Sequence, residues 1–148
     1  MSDVVAPASA PEEVVTKALL REIDLAAFGF NGKLSLISLD NGMDHTRPNT
    51  LGPKSLQELE ATLSLAEQSD SSAIAITGKP FIFAAGADLS GLPFVKEKSQ
   101  ALAFGKYGHD LFKRFGRGKK PTFAFLNGLA LGGGLEIGLH CNYRTMAT

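Results

Sequence analysis

The stretch NGLALGGGLEIGLH, Asn127 to His140, decides how this chain is read. Gly132, Gly133 and Gly134 stand directly before Leu135, Glu136 and an apolar run. A phosphate-binding P-loop needs Lys and then Ser or Thr after its glycines, to reach the phosphates and magnesium. Leu135 and Glu136 occupy that place, and a carboxylate repels phosphate. A dinucleotide fingerprint needs G-x-G-x-x-G. Counted from Gly132 and Gly134, the third position is Ile137, and Gly138 comes one residue late. Two readings remain open on these residues. Small residues let a helix sit close to a strand. Alternatively, a helix N-terminus with unpaired N–H groups and partial positive charge receives a carbonyl compound, which glycine admits without a Cβ in the way. Glu136 lies three residues after Gly133, so on a helix both share one face, and a carboxylate there suits proton transfer beside a polarised carbonyl. Acidic residues also favour first helical turns for electrostatic reasons alone.

PTFAFLNG (Pro121 to Gly128) reads as a strand apolar enough to be covered on both faces, and YRTMAT begins another strand. Upstream, SAIAIT (Ser72 to Thr77) is a short apolar strand, followed by GKPFIFAAGADLSGLP, a loop of small residues. Within it FAAGADL (Phe83 to Leu89) opens a turn or helix, with Asp88 as an N-cap. A helix is predicted over Val95 to Phe115, with Ala101, Phe104, Gly105, Gly108, Phe112 and Phe115 on one stripe. Ser55 to Ser69 is the clearest helix. Leu56, Leu59, Leu63 and Ala66 recur at helical spacing, and Ser55 with Glu58 has the pattern of a capping box. Asn41 to Lys54 is a loop of turn formers. REIDLAAFGFNGKLSLISLD reads as two strands meeting in a tight hairpin at Asn31-Gly32. Residues 1–15 read as a flexible leader, with order starting near Thr16 and residues 16–148 forming one domain or part of one.

Strands alternating with helices indicate an α/β fold with parallel pairing. Ligands of parallel sheets bind at the carboxyl ends of strands. The loops after Thr77 and after Phe125 are therefore both placed where they can face one crevice. If so, the N–H groups of Ala87 and Gly133 converge on one oxygen, the usual form of an oxyanion hole.

Composition narrows the classes. The chain has 148 residues, 44% hydrophobic and 20% charged, as in a globular protein. Fifteen basic against fifteen acidic residues leave no basic stripe and argue against nucleic acid as partner. One cysteine, Cys141, excludes an intrachain disulfide and fits a reducing, cytoplasmic location. No run is long enough for a membrane span, and the N-terminus lacks the regions of a signal peptide. His45, His109 and His140 have no metal-ligand spacing among themselves or with Cys141, so no metal is expected and core or surface roles are assigned to them. No G-x-S-x-G elbow is present, which argues against a serine hydrolase.

KPFIFAAGADLSGL and KKPTFAFLNGLALGGGLEIGLHCNYRTMA, in this order and separation, closely resemble the crotonase (enoyl-CoA hydratase/isomerase) superfamily. The resemblance covers about Leu20 to the end. It implies a crotonase-like spiral of ββα units, incomplete at the C-terminus. It also implies an acyl-CoA thioester held between the N–H groups of Ala87 and Gly133, with Glu136 at the position of the first catalytic glutamate. Ala85 matches the stretch lining the CoA adenine pocket, and Gly86, Asp88 and Gly132 complete the expected substrate-binding set. The implied activity is hydration of 2-enoyl-CoA to 3-hydroxyacyl-CoA in fatty-acid β-oxidation. The alternatives are Δ3-Δ2-enoyl-CoA isomerisation and a non-catalytic acyl-CoA-binding fragment.

LDNGMDHTRPNTLGP is longer than the usual turn of single-domain hydratases. It looks like the N-terminal part of large actinobacterial-type multienzyme subunits, in which 3-hydroxyacyl-CoA dehydrogenase follows. Coenzyme A is then part of the substrate, no cofactor is expected in this chain, and NAD enters only with a dehydrogenase domain. A homo-oligomer or β-oxidation complex is the expected assembly. Three departures stand out. The family's second glutamate falls past Thr148, the trimerisation helices are absent, and Asn49 replaces a basic residue that helps bind CoA phosphates. Lys54 or Lys79 would have to substitute for it.

Overall fold

The computed structural model describes residues 11–147. Three ββα units follow one another: β1 (Lys17–Asp24), β2 (Lys33–Asp40) and α1 (Pro53–Gln68); β3 (Ala73–Gly78), β4 (Phe81–Ala84) and α2 (Lys98–Arg117); β5 (Thr122–Leu126), β6 (Gly128–Ala130) and α3 (Gly133–His140). β7 (Tyr143–Met146) comes last. The larger sheet has the order β1-β2-β3-β5-β7, antiparallel only between β1 and β2. β4 and β6 leave that sheet and pair with each other in parallel. This is the α/β fold with parallel pairing that the alternation of strands and helices predicts, in the spiral of ββα units that the resemblance implies.

Apolar side chains from helices and sheet form one core. Leu56, Leu59, Leu63 and Ala66 of α1 are buried, as their spacing predicts, together with Ile37 and Leu39 of β2 and Ile74 and Ile76 of β3. Each buried Leu or Ile among them contributes about 1.5–3 kcal/mol. On α2 the buried residues are Gly108, Leu111, Phe112 and Phe115. The predicted stripe is correct in its lower half, whereas Ala101 and Gly105 remain exposed. β5 is covered on one face only: Thr122, Ala124 and Leu126 are buried, while Phe123 and Phe125 are half-buried. Phe123 stacks on Tyr143 of the last strand, with ring centroids 5.0 Å apart.

Several sequence expectations need correction. The β1–β2 connection is not a two-residue turn. A 3-10 turn over Leu25–Phe28 and a left-handed Gly29 intervene, and the Leu25 N–H donates to the Gly32 carbonyl at 3.0 Å. The small-residue loop contains β4, and β6 separates β5 from the glycine run; three or four residues carry too little periodicity to read. Ser55 is not the cap of α1. Gly52 precedes the helix, Pro53 opens it, and the Glu13 carboxylate accepts from the N–H groups of Lys54 and Ser55, each at 2.9 Å. The expected leader splits accordingly. Its first ten residues lie outside the described residues, whereas Glu13 is tied to α1 by a negative charge on unpaired N–H groups. Among the described residues no helix is long and apolar enough to cross a membrane.

Candidate active site

Each glycine of the run has its own role. Gly132 has φ +48°, a conformation that side chains with a Cβ rarely adopt, and turns the chain from β6 into α3. Gly134 presses on β4, where a Cβ would lie 2.1 Å from the Ala84 carbonyl oxygen. Gly133 is different. The nearest neighbours of a Cβ there would be the Phe112 ring at 3.4 Å and Leu51 at 3.7 Å, which is ordinary contact. The packing explanation therefore accounts for Gly134 and leaves Gly133 without an internal reason.

The two loops do meet. Gly86, at φ +92°, lies so close that a Cβ on it would be 3.0 Å from the Gly133 nitrogen. The earlier loop is fixed from below: Leu51 N–H donates to the Gly86 carbonyl (2.8 Å), Asp88 N–H to the Leu51 carbonyl (3.2 Å) and Ala85 N–H to the Asn49 carbonyl (2.8 Å). This pairing directs the Ala87 N–H away from Leu51. Among the described residues, no acceptor takes the N–H of Ala87 or of Gly133. Both residues line one cleft of about 160 Å³, with Phe104, His109, Phe112 and Glu136. A second, mostly apolar cleft of about 380 Å³ shares Ala87 and Phe104 with it and continues past Asp88 and Leu89.

The expected site residues fall into two groups. Ala87, Gly133 and Glu136 share the first cleft, and Asp88 lines the second with Ala87. Ala85, Gly86 and Gly132 shape the loops behind them. Asp88 does not cap a helix. Its carboxylate accepts from the Ser90 N–H at 2.9 Å, closing a turn, because no helix begins there.

Glu136 sits in the first turn of α3, half-exposed, and sequence reading missed its neighbours. His109 Nδ1 of α2 lies 2.6 Å from Glu136 Oε1, and His140 Nε2, one turn further along α3, lies 3.7 Å from the same oxygen. The i,i+4 spacing of Glu136 and His140 was a legible signal. His109 comes 27 positions earlier and joins only through the packing of α2 on α3.

The two supposed substitutes for a phosphate-binding cation fare differently. Lys79 is buried, and its ammonium donates to Asn41 Oδ1 and to the carbonyls of Met43, Asp44 and Arg47. It pins the long loop and has no donor left for a phosphate, whereas Lys54 is exposed. Asn49 is fully buried, bonding the Leu39 and Phe83 carbonyls and the Asn41 N–H. It braces the loop under the site and touches no solvent. Cys141 is buried, and burial pushes its thiol up to about 11.

Known proteins resemble this chain in sequence and in fold. A probable enoyl-CoA hydratase of Bacillus subtilis is 33% identical over 105 residues, which are 70% of this chain and 41% of that protein. The fatty acid oxidation complex subunit alpha of Idiomarina loihiensis is 33% identical over 98 residues, 65% of this chain and 14% of that protein. The crystal structure of enoyl-CoA hydratase from Thermoplasma volcanium superposes with a TM-score of 0.70 at 28% identity, covering 85% of this chain and 47% of the other. The chain thus spans less than half the length of each of these relatives. The enoyl-CoA hydratase/isomerase family matches residues 31–148. With its defining loops inside that span, the chain belongs to the enoyl-CoA hydratase/isomerase family.

Proposed function

We propose that this chain carries the thioester-holding part of an enoyl-CoA hydratase active site, acting on 2-enoyl-CoA in fatty-acid β-oxidation. The observation that carries the reading is the cleft where the acceptor-free N–H groups of Ala87 and Gly133 stand beside the Glu136 carboxylate. In the proposed reaction the thioester oxygen accepts from both N–H groups. Glu136 takes a proton from water as the water oxygen bonds to the β-carbon. The electron pair of the double bond shifts toward the thioester, where the two donors stabilise the enolate oxygen. A proton delivered to the α-carbon completes the addition. By analogy with the family, a second glutamate shares that proton work. Ala85, Gly86, Asp88 and Gly132 form the loop surface along which the CoA portion lies. The apolar cleft past Leu89 receives an apolar part of the substrate.

Coenzyme A is part of the substrate, and the chain needs no cofactor of its own in this reading. The relative from Idiomarina loihiensis is named as a subunit of a complex. This supports placing residues 16–148 in the first domain of a larger β-oxidation subunit, with NAD entering only through a following dehydrogenase domain. Δ3-Δ2 isomerisation is the second reading. Its proton transfer between carbons can use a single base, and among the described residues Glu136 is the one carboxylate lining the cleft.

Crotonyl-CoA tests the proposal. Hydration is followed at the enoyl absorbance and binding by calorimetry, using the complete polypeptide. Turnover supports the hydratase, turnover with a 3-enoyl-CoA alone supports the isomerase, and binding without turnover supports a non-catalytic acyl-CoA-binding role.

A further inference from the structure

We propose that His109, Glu136 and His140 form a site for a divalent transition-metal ion, Zn2+ above others. The ligand atoms of all three lie within 4.8 Å of one another. They come from two helices: His109 from α2, and Glu136 with His140 one turn apart on α3. The imidazole rings approach edge-on, with centroids 5.6 Å apart at 63°. Two imidazoles and one carboxylate, with a position left for water, are a donor set suited to zinc. Magnesium and calcium prefer all-oxygen shells.

Bonds of about 2.0–2.2 Å to each ligand require neighbouring donors about 3.3 Å apart. The gap between His109 Nδ1 and Glu136 Oε1 must therefore open from 2.6 Å, and that to His140 close slightly from 3.7 Å. Side-chain exposures of 49%, 40% and 27% leave room for such rotations and for entry of the ion. Among the described residues no lysine or arginine pairs with Glu136, so its charge is shared only with the histidines.

One consequence rests on the hydratase reading. A bound ion occupies Glu136 and removes it from proton transfer, so Zn2+ inhibits. The ion-binding claim itself does not depend on catalysis. The test titrates Zn2+ into the complete polypeptide by calorimetry, with Co2+ as a visible-light probe of the coordination. One equivalent binds to the unaltered protein. His109→Ala and His140→Ala each weaken binding at least ~10–100-fold, the range seen when even an outer partner of a metal ligand is lost. His45→Ala, whose ring packs on Phe81 instead, binds as the unaltered protein does. Absence of Zn2+ binding, or binding indifferent to both histidine substitutions, overturns the site. Turnover measured alongside separates the two claims. Zn2+ binding without turnover in any form sinks the hydratase reading alone, and turnover without Zn2+ binding sinks the metal site alone. Where both stand, Zn2+ inhibition is reversed by a chelator and is lost in His140→Ala relative to that variant's own metal-free rate.

Discussion

Adjacent glycines of the α3 N-terminus should respond in opposite ways to substitution. In Gly134→Ala the new methyl would lie 2.1 Å from the Ala84 carbonyl oxygen, 2.7 Å from its carbon and 2.8 Å from the Ala84 Cβ. Cβ–oxygen contacts below 3.0 Å essentially do not occur, so the helix start must retreat from β4 by about an ångström. Overpacking of this kind costs about 1–3 kcal/mol. At about 2–4 °C per kcal/mol, Tm should fall by roughly 2–12 °C. Gly133→Pro acts on the other side. The lost N–H has no acceptor in the protein, and proline is well suited to the first position of a helix. Tm should therefore change little. Removing one of two oxyanion donors costs ~10²–10³ in kcat, about 2.7–4 kcal/mol. Thermal melts and crotonyl-CoA hydration, measured on both variants of the complete polypeptide, check the pair. Full turnover in a folded Gly133→Pro protein would refute the role given to that N–H. An unshifted melt for Gly134→Ala would refute the packing argument.

Other perturbations probe the frame around the site. Glu13→Ala leaves the first turn of α1 without its carboxylate and should cost about 1 kcal/mol, the typical value of a lost cap, read from urea unfolding. Lys79→Met orphans the carbonyls gathered by its ammonium and should cost about 1–3 kcal/mol, with faster hydrogen exchange over Asn41 to Arg47; an unchanged exchange pattern would contradict its bracing role. The Cys141 thiol stands at about 11, above its ordinary 9.0, chiefly because of burial. Its folded-state proton is held more tightly, so its contribution to stability is full below pH 9.0 and is lost as pH rises through about 11. Iodoacetamide at pH 8 should label the native protein far more slowly than the urea-unfolded one, and equal rates would contradict its burial.

Long amphipathic elements and the meeting of the two loops were legible because each rests on local pattern. Leu56, Leu59, Leu63 and Ala66 of α1 recur at helical spacing, and apolar strands followed by small residues mark strand ends. What escaped depends on contacts distant in sequence. Glu13 caps a helix some forty positions away, which no local box reveals. Lys79 looks like any surface lysine until the loop of Asn41 to Arg47 wraps its ammonium. Asn49 occupies a position where the family often has a cation, yet the fold buries it as a brace. Gly132, Gly133 and Gly134 looked equivalent as letters, and only backbone angles and the position of β4 separate their roles. His109 meets Glu136 because α2 packs against α3, a contact that histidine spacing does not reveal.

Glu136→Gln tests the role of Glu136 as the base that takes a proton from water. The amide keeps the size of the side chain and leaves the N–H groups of Ala87 and Gly133 untouched, but it cannot take a proton from water. In the complete polypeptide, binding of crotonyl-CoA should stay within a few-fold while kcat for hydration falls by ~10²–10⁴, the usual share of a general acid–base group. Hydration at the unaltered rate, with the variant folded and the thioester bound, would contradict the assignment of Glu136 as the base.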